Sequence, residues 1–429
     1  MKICKEAPAV GKYDVVVCGG GPAGWAAATE AARSGAKTAV LDRFGFFGGT
    51  AAAGLVVPIS GYFNHGQRAV GGIAWEFENE LEKTGSALVE LPNGHVSADP
   101  EYYKLIAQRM VLQSGADTYT NSYLSGVIKS SETRVSAVII ENKNGTEVLE
   151  GKYFVDATGD GDLLAMAGAE MTEADAPQPL SLCFELTGVD TSTPLLKDCI
   201  HHNKARSVNT VIHEFLAEEN KNGRIASFGG PWFNTLLHGD RLAVNVTRAF
   251  ASATDNRAYS AAEMQMREDM FAITELLRSK YPEFRSCVIS SSAVSAGVRE
   301  SRHLRGEVTL TGEDLLQGVH FPDSIARNAH PVDIHSSADG GQIVKEMPQA
   351  GYIPYRCLVT SALENVIASG RMISADREAH ASIRVQATCM ATGQAAAAAA
   401  VLCCRAGVPF TGADVPALQA KLASEGCIF

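Results

Sequence analysis

Several features that mark large enzyme classes are missing from this sequence. Its 10 cysteines include no C-x-x-C pair, which speaks against structural zinc, a thioredoxin-type motif and an iron–sulfur cluster. H-E-x-x-H is absent and no other His/Asp cluster has ligand spacing along the chain, so no metal is expected. The absence of G-x-S-x-G disfavours a serine hydrolase. The longest apolar run, Ala395–Cys404, is too short to cross a bilayer and reads as a buried helix. Met1–Val10 carries Lys2, Lys5 and Glu6 without the apolar stretch of a signal peptide. Positive charge is in deficit: 37 Lys and Arg against 48 Asp and Glu leave a net charge of -11. That balance argues against a nucleic-acid or anionic-membrane partner. The cysteines read as small buried apolar residues of a reducing compartment, which makes cytoplasm the expected location.

What is present starts at Tyr13. Val15-Val16-Val17-Cys18 is a short β-branched run suited to a strand buried on both faces. Gly19-Gly20-Gly21-Pro22-Ala23-Gly24 follows and fits G-x-G-x-x-G, then an Ala-rich helix to about Ser34, with Gly35 at its C-terminal end. A second strand, Thr38–Leu41, ends in Asp42. Gly19 serves the tight turn, Gly21 lets a pyrophosphate approach the backbone, and Gly24 lets helix pack on strand. Asp42 stands roughly twenty residues on, where an acid accepts from ribose hydroxyls. Strand, glycines, helix and acid together predict a dinucleotide site.

The rest of the 429 residues is too long for one core. The Phe/Gly-rich loop Arg43–Gly61 implies backbone passing close to a flat or bulky group. Gly72–Lys83 and Pro100–Ser114 have helical periodicity, the second with Tyr102, Leu105, Ile106 and Met110 on one face. Ser122–Ile128, Val135–Glu141 and Val148–Val155 read as a β-meander with a turn at Asn144-Gly145. It runs into Asp156-Ala157-Thr158-Gly159-Asp160-Gly161-Asp162, where calcium-loop spacing is lacking and Met171 occupies the place of a closing Glu. Residues 171–349 read as an insertion. It has strands at Leu180–Thr187, Arg241–Thr247 and Cys287–Val294, a helix at Ser260–Ser279, and irregular stretches near 189–235 and 312–345. The His201-His202 pair reads as a solvated face. After Gly351 come a strand at Glu364–Ser369, a loop over Gly370–Gln386, a helix over Ala387–Cys404 and an amphipathic helix near Asp414–Ser424.

Taken together, these blocks resemble the FAD-dependent oxidoreductases of the glutathione-reductase/fumarate-reductase type, and within them a bacterial group known simply as FAD-dependent oxidoreductases. The match rests on the Gly19–Asp42 fingerprint, Gly48-Gly49-Thr50, Val155–Asp162, Gly297–His303 with its R-E-x-R segment, and Gly351–Ala400. The fold it implies is α/β: a Rossmann-like FAD/NAD(P)-binding domain with a β-meander (13–170 plus 350–405), an inserted α+β cap or substrate domain (171–349) and a C-terminal helix (406–429). The resemblance implies FAD as cofactor, held by Gly19, Gly21, Pro22, Ala23, Gly24, Asp42, Arg43, Gly48, Gly49 and Thr50. Ala157, Thr158 and Gly159 would lie near the phosphates and ribose, and Val127 of the meander would offer backbone groups to the adenine. The helix near Cys389 and Met390 would point its N-terminus at the flavin N1/O2 edge. Arg384 matches the position of a substrate-binding arginine in fumarate reductases. No histidine lies in the Gly48–Thr50 stretch, so a covalent flavin link is not implied. Arg371 stands where many relatives carry an acid near the ribityl chain.

For chemistry at such a flavin, Arg299, Arg302, Arg356 and Arg384 are the candidate charge clamp, with Arg384 and Arg299 foremost. His335, His303 and His330 are the candidate proton carriers, and Asp333 could orient His335. The leading reading is hydride transfer between a small hydroxylated or carboxylated molecule and non-covalent FAD, with the electron acceptor unidentified and a homo-oligomer admitted. The alternatives are a flavin-bearing electron-transfer or binding protein, and an NAD-linked dehydrogenase. The latter is weakened by the Thr158-Gly159 and C-terminal blocks. No second fingerprint unit is present.

Overall fold

Val15, Val16, Val17 and Cys18 are all fully buried, because their strand lies in the middle of a sheet covered on both faces. The computed structural model describes residues 6–90, 95–200, 210–235, 240–337 and 341–429; Met1–Lys5 and the His201-His202 pair lie outside them. Strand β1 (Ala9–Cys18) leads into helix α1 (Pro22–Arg33) and strand β2 (Thr38–Leu41). The chain later adds β3 (Asp117–Tyr119) and the meander β4 (Tyr123–Lys129), β5 (Val135–Asn142) and β6 (Gly145–Asp156). The sheet order is β3-β2-β1-β6-β5-β4. Strands β1, β2, β3 and β6 run parallel, while β5 and β4 are antiparallel.

A second, antiparallel sheet is built from β7 (Phe184–Thr187), β8 (Phe228–Thr235), β9 (Leu242–Thr247) and β10 (Val288–Ser292), in the order β8-β9-β7-β10. Helix α2 (Asn256–Lys280) buries Met270, Ile273 and Leu277 against Phe184, Phe233 and Val244, a core separate from that of β1. From Leu304 onward the chain packs again on the first core, through Leu310, Leu315, Ile325 and Ile353. Strand β11 (Val366–Ala368) then pairs with the last three residues of β6, whose first half pairs with β5.

The chain closes on α3 (Arg377–Ile383), α4 (Gln386–Ala406) and a helix at Val415–Ser424. Small residues let α4 lie directly on α1: a Cβ at Gly393 would sit 2.1 Å from the Ala23 carbonyl oxygen. The tract Ala395–Ala400 is fully buried. By length and composition α4 could cross a membrane, and 83% of its most apolar window is buried inside the fold.

Four segments differ from the sequence reading. The expected Gly370–Gln386 loop contains α3, because the Asp376 carboxylate accepts from the Ala379 N–H at 2.7 Å and caps it. The stretches expected to be irregular hold helices at Pro194–Ile200, Thr210–Lys221 and Gly312–Gln317, the last started by a Thr311/Asp314 capping box. The Pro100–Ser114 helix buries Tyr103, Ile106, Met110 and Val111 and leaves Tyr102 42% exposed. Contact of the Tyr103 ring with Phe77, at 4.5 Å between centroids, goes with this rotated face.

Candidate active site

Parallel strands of this kind open a crevice at their carboxyl ends, and the sequence supplies a short turn at each. Gly19 follows β1, Asp42 follows β2, Ala157 follows β6 and Ser369 follows β11, and all four line one cleft. Around them at the same end are Gly21, Pro22, Ala23, Arg43, Gly49, Thr50, Thr158 and Gly159.

This end is built mainly of backbone. Helix α1 begins at Gly21, which has no side chain to cap it, and no acid lies in its first turn. Its free N–H groups and positive dipole end therefore suit phosphate. A Cβ at Gly24 would lie 1.7 Å from the Gly19 carbonyl oxygen, so only glycine lets α1 begin this close to β1. Asp42 is fixed by N–H groups of Gly20 and Phe44 at 2.5 and 2.7 Å; burial raises its pKa. Behind the turn, Asp156 accepts from Thr158 N, Thr158 Oγ1 and Leu164 N. Burial pushes it up to about 6. These residues fit an adenine dinucleotide.

Helix α4 meets the middle of the cleft with another uncapped N-terminus. Val385 is its N-cap without a side-chain bond, no acid lies in the first turn, and Gln386 and Cys389 line the cleft. The Cys389 thiol is pushed up to about 12 by burial, against the charges of Arg371 and Arg384. Arg371 also lines the cleft and donates to Asp160 Oδ1 at 2.6 Å. An acid does stand here, then, although on another segment.

The far end is built of charged side chains. Arg299, Arg384, His330, Asp333 and His335 line it together. Arg299 donates from Nη1 to the Pro179 carbonyl at 2.8 Å and to Ser181 Oγ at 2.7 Å. Burial and the charge of Arg384 bring it down to about 10. Arg384 donates to the Asp333 carbonyl at 3.0 Å and lies 3.5 Å from its carboxylate. His335 Nε2 is 3.2 Å from Asp333 Oδ2, while its Nδ1 is buried with no hydrogen-bond partner. Burial and the charge of Arg299 hold His335 down to about 3. Burial alone would raise Asp333, but His335 and Arg384 hold it well below the usual carboxylate range.

Seven of the sequence candidates stand outside the cleft lining: Gly24 and Gly48 behind the glycine turns, Val127 on the edge strand β4, Met390 inside α4, His303, Arg302 and Arg356. Arg302 is engaged with Asp162 and the Asp160 carbonyl, and Arg356 is bound to Asp323 and half exposed. Arg248 was not legible. It is almost fully buried, donates to Ser181 Oγ and to Asn245 Oδ1, and stacks over Trp232 at 4.9 Å. Its only sequence signal is a single arginine at a strand end.

A family model described as FAD dependent oxidoreductase matches residues 14–422. A leghemoglobin reductase of Glycine max is 31% identical over 162 residues, 37% of this chain and 29% of that protein. A thiamine thiazole synthase of Methanococcus aeolicus is 31% identical over 157 residues, 34% of this chain and 55% of that protein. The match thus spans about a third or less of the length of the reductase and dihydrolipoyl dehydrogenase relatives. Among solved structures, a geranylgeranyl bacteriochlorophyll reductase-like protein of Thermoplasma acidophilum covers 96% of this chain and 82% of its own. It does so at 14% identity and a TM-score of 0.50, a likeness of fold.

Proposed function

The chain belongs to the FAD-dependent oxidoreductase family, and from that premise we propose that it transfers a hydride between a small carboxylate-bearing, hydroxylated or unsaturated molecule and non-covalently held FAD. When bound, FAD supplies the ring that takes or gives the hydride. The observation that carries the substrate class is the pair Arg299 and Arg384 on one cleft wall. Among the described residues Arg299 has carbonyl and hydroxyl partners but no carboxylate. With Arg248 nearby and Asp333 the acid in contact with Arg384 and His335, this end holds an excess of buried positive charge. Such a site favours an anion strongly, since buried charge is costly until paired.

His335 would be the proton carrier. Its Nε2 faces Asp333 and its Nδ1 is unpaired, so in the tautomer with Nε2–H donating, Nδ1 can accept a proton. A substrate anion beside Arg299 would cancel part of the charge that depresses this imidazole and raise its basicity only in the complex. Of the expected 171–349 insertion, we take the part before Leu304, which has a core of its own, as the cap that brings Arg299 to Arg384, closing water away from the reacting atoms.

The test is anaerobic bleaching of the FAD-loaded protein against 2-hydroxy acids, neutral alcohols and sugars, with photoreduced protein mixed with 2-enoates for the reverse direction. Carboxylates should exchange electrons with the flavin and neutral analogues should not. If none of them reacts while small redox proteins do, the electron-carrier reading replaces this one. Acid precipitation should release the flavin into solution; a yellow pellet would contradict non-covalent binding.

A further inference from the structure

Behind the arginine end lies a cluster that the proposed reaction does not use. Glu300 and His303 come from the segment around the Arg302–Leu304 strand, and His380 comes from α3. They are 3%, 5% and 1% exposed, and their ligand-capable atoms all lie within 4.8 Å of one another. His303 Nε2 is 3.9 Å from Glu300 Oε1, and the imidazoles meet edge to face at 4.2 Å between centroids. Nδ1 of His303 and Nδ1 of His380 are both buried with no hydrogen-bond partner among the described residues. Buried polar atoms are rarely left so, and two on neighbouring rings call for an occupant.

We propose that Glu300, His303 and His380 bind one divalent first-row transition cation. Two imidazoles and a carboxylate are the donor set such ions prefer. Metal–donor distances of roughly 2.0–2.2 Å require the cluster to tighten by about 1 Å. Burial and Arg371 hold His303 down to about 4, and burial with His303 holds His380 well below the usual value. Both rings are therefore neutral, which is the ligand form. Of the cations that act on the cluster, Arg371, Arg384 and Arg377, Arg371 is paired with Asp160, and Glu300 sets its own negative charge against Arg384. Glu300 directly follows Arg299, and His380 lies one turn before Arg384. An ion here would thus tie together the two segments that carry the arginine pair and set their spacing.

The test uses the FAD-loaded full chain, stripped with a chelator and titrated with Co2+. One ion per chain, with the visible bands of imidazole-bound cobalt, is expected, and His303→Asn and Glu300→Gln should abolish it. Glu300→Gln keeps an acceptor for the Gln178 N–H that now donates to Glu300 at 2.9 Å, and FAD content reports the fold. Substoichiometric binding by wild type, or unchanged binding in both folded variants, overturns the proposal. Should a variant lose its flavin, Cu2+ EPR of wild type decides: couplings to two imidazole nitrogens support the site, and their absence refutes it.

Discussion

The two ends of the cleft solve recognition by different means. At the glycine end, N–H groups, an uncapped helix terminus and the carboxylate of Asp42 form most of the surface. At the arginine end, side chains from distant segments of the sequence, Arg299 and Arg384 with Asp333 and His335 between, form it instead. The first end is preformed by the chain's path and leaves no room for a Cβ at Gly19, Gly24 or Gly49. The second is a set of buried charges that the fold holds without full compensation. Cofactor retention should therefore depend on backbone space, and turnover on charge.

The variant expected to have the largest effect is Gly24→Ala. Its Cβ would fall 1.7 Å from the Gly19 carbonyl oxygen and 3.1 Å from Ala157 Cβ. Relieving that overlap moves α1 off β1 and costs roughly 1–3 kcal/mol. It also displaces the helix terminus from the phosphates. The affinity for FAD should fall roughly 5- to 100-fold, since 1.4 kcal/mol is a factor of ten in Kd, read from FAD titration of the stripped protein, and urea midpoints should drop with it. An unchanged Kd for FAD would show that the glycine end is not what holds the dinucleotide.

This asymmetry also governs what the sequence revealed. The glycine end was legible because its residues are contiguous: β1, Gly19–Gly24, α1 and Asp42 all lie within 9–42, and each has a conformational reason. The meander was legible from alternation and an Asn-Gly turn. Arg299 and Arg384 could be singled out as arginines among small residues and by the resemblance, through the R-E-x-R segment and the fumarate-reductase position. Their shared wall depends on how the chain returns after Leu304, which local pattern does not encode. Arg248 and the Glu300/His303/His380 cluster were hidden for the same reason, since no spacing along the chain joins 300 to 380. Helix α3 was missed although its Asp376 cap was visible, because Gly370 and the serines suggested a loop.

The arginine end is tested by neutral replacement. Arg384→Met and Arg299→Met should leave FAD content unchanged. Each should slow flavin reduction by a carboxylate roughly 10- to 100-fold, the equivalent of a charge-assisted hydrogen bond of about 1.5–3 kcal/mol. Their stabilities should diverge. Arg384→Met leaves Asp333 with His335 and Gln342 but without its guanidinium partner and should destabilise, whereas Arg299→Met removes a buried charge that among the described residues is paired with no carboxylate and should be neutral or stabilising. Stopped-flow reduction and urea unfolding of the two variants check both halves.

His335 separates the ends by pH. In the folded chain it is held down to about 3, while in the unfolded chain it titrates near 6.5. Below pH 6.5 the unfolded state takes up a proton that the folded state refuses, so this group costs stability as pH falls, until about pH 3. Asp156, raised to about 6, and Glu78, raised to about 7, act in the opposite direction, and the difference between wild type and His335→Gln isolates the histidine. Between pH 6.5 and 5 wild type should lose about 2 kcal/mol relative to the variant, from roughly 1.4 kcal/mol per pH unit for one proton. Parallel stability profiles would mean that His335 titrates normally and is not shielded by Arg299.

The smallest effect is expected at Arg356, which the sequence admits to the clamp behind Arg299 and Arg384 but the fold places outside the cleft lining. Its side chain is 50% exposed and grips Asp323 through Nε at 2.9 Å and Nη2 at 3.1 Å. Asp323 also accepts from the Arg356 backbone N–H at 3.1 Å, and that bond survives truncation. Exposed pairs of this kind contribute about 0–1 kcal/mol. Arg356→Ala should therefore shift the urea midpoint slightly, more at low salt than at high. FAD content and flavin reduction should stay at wild-type values. If it slowed reduction as much as Arg384→Met does, the anion-binding surface would extend beyond the cleft wall, and the division between a backbone end and a compact arginine end would have to be redrawn.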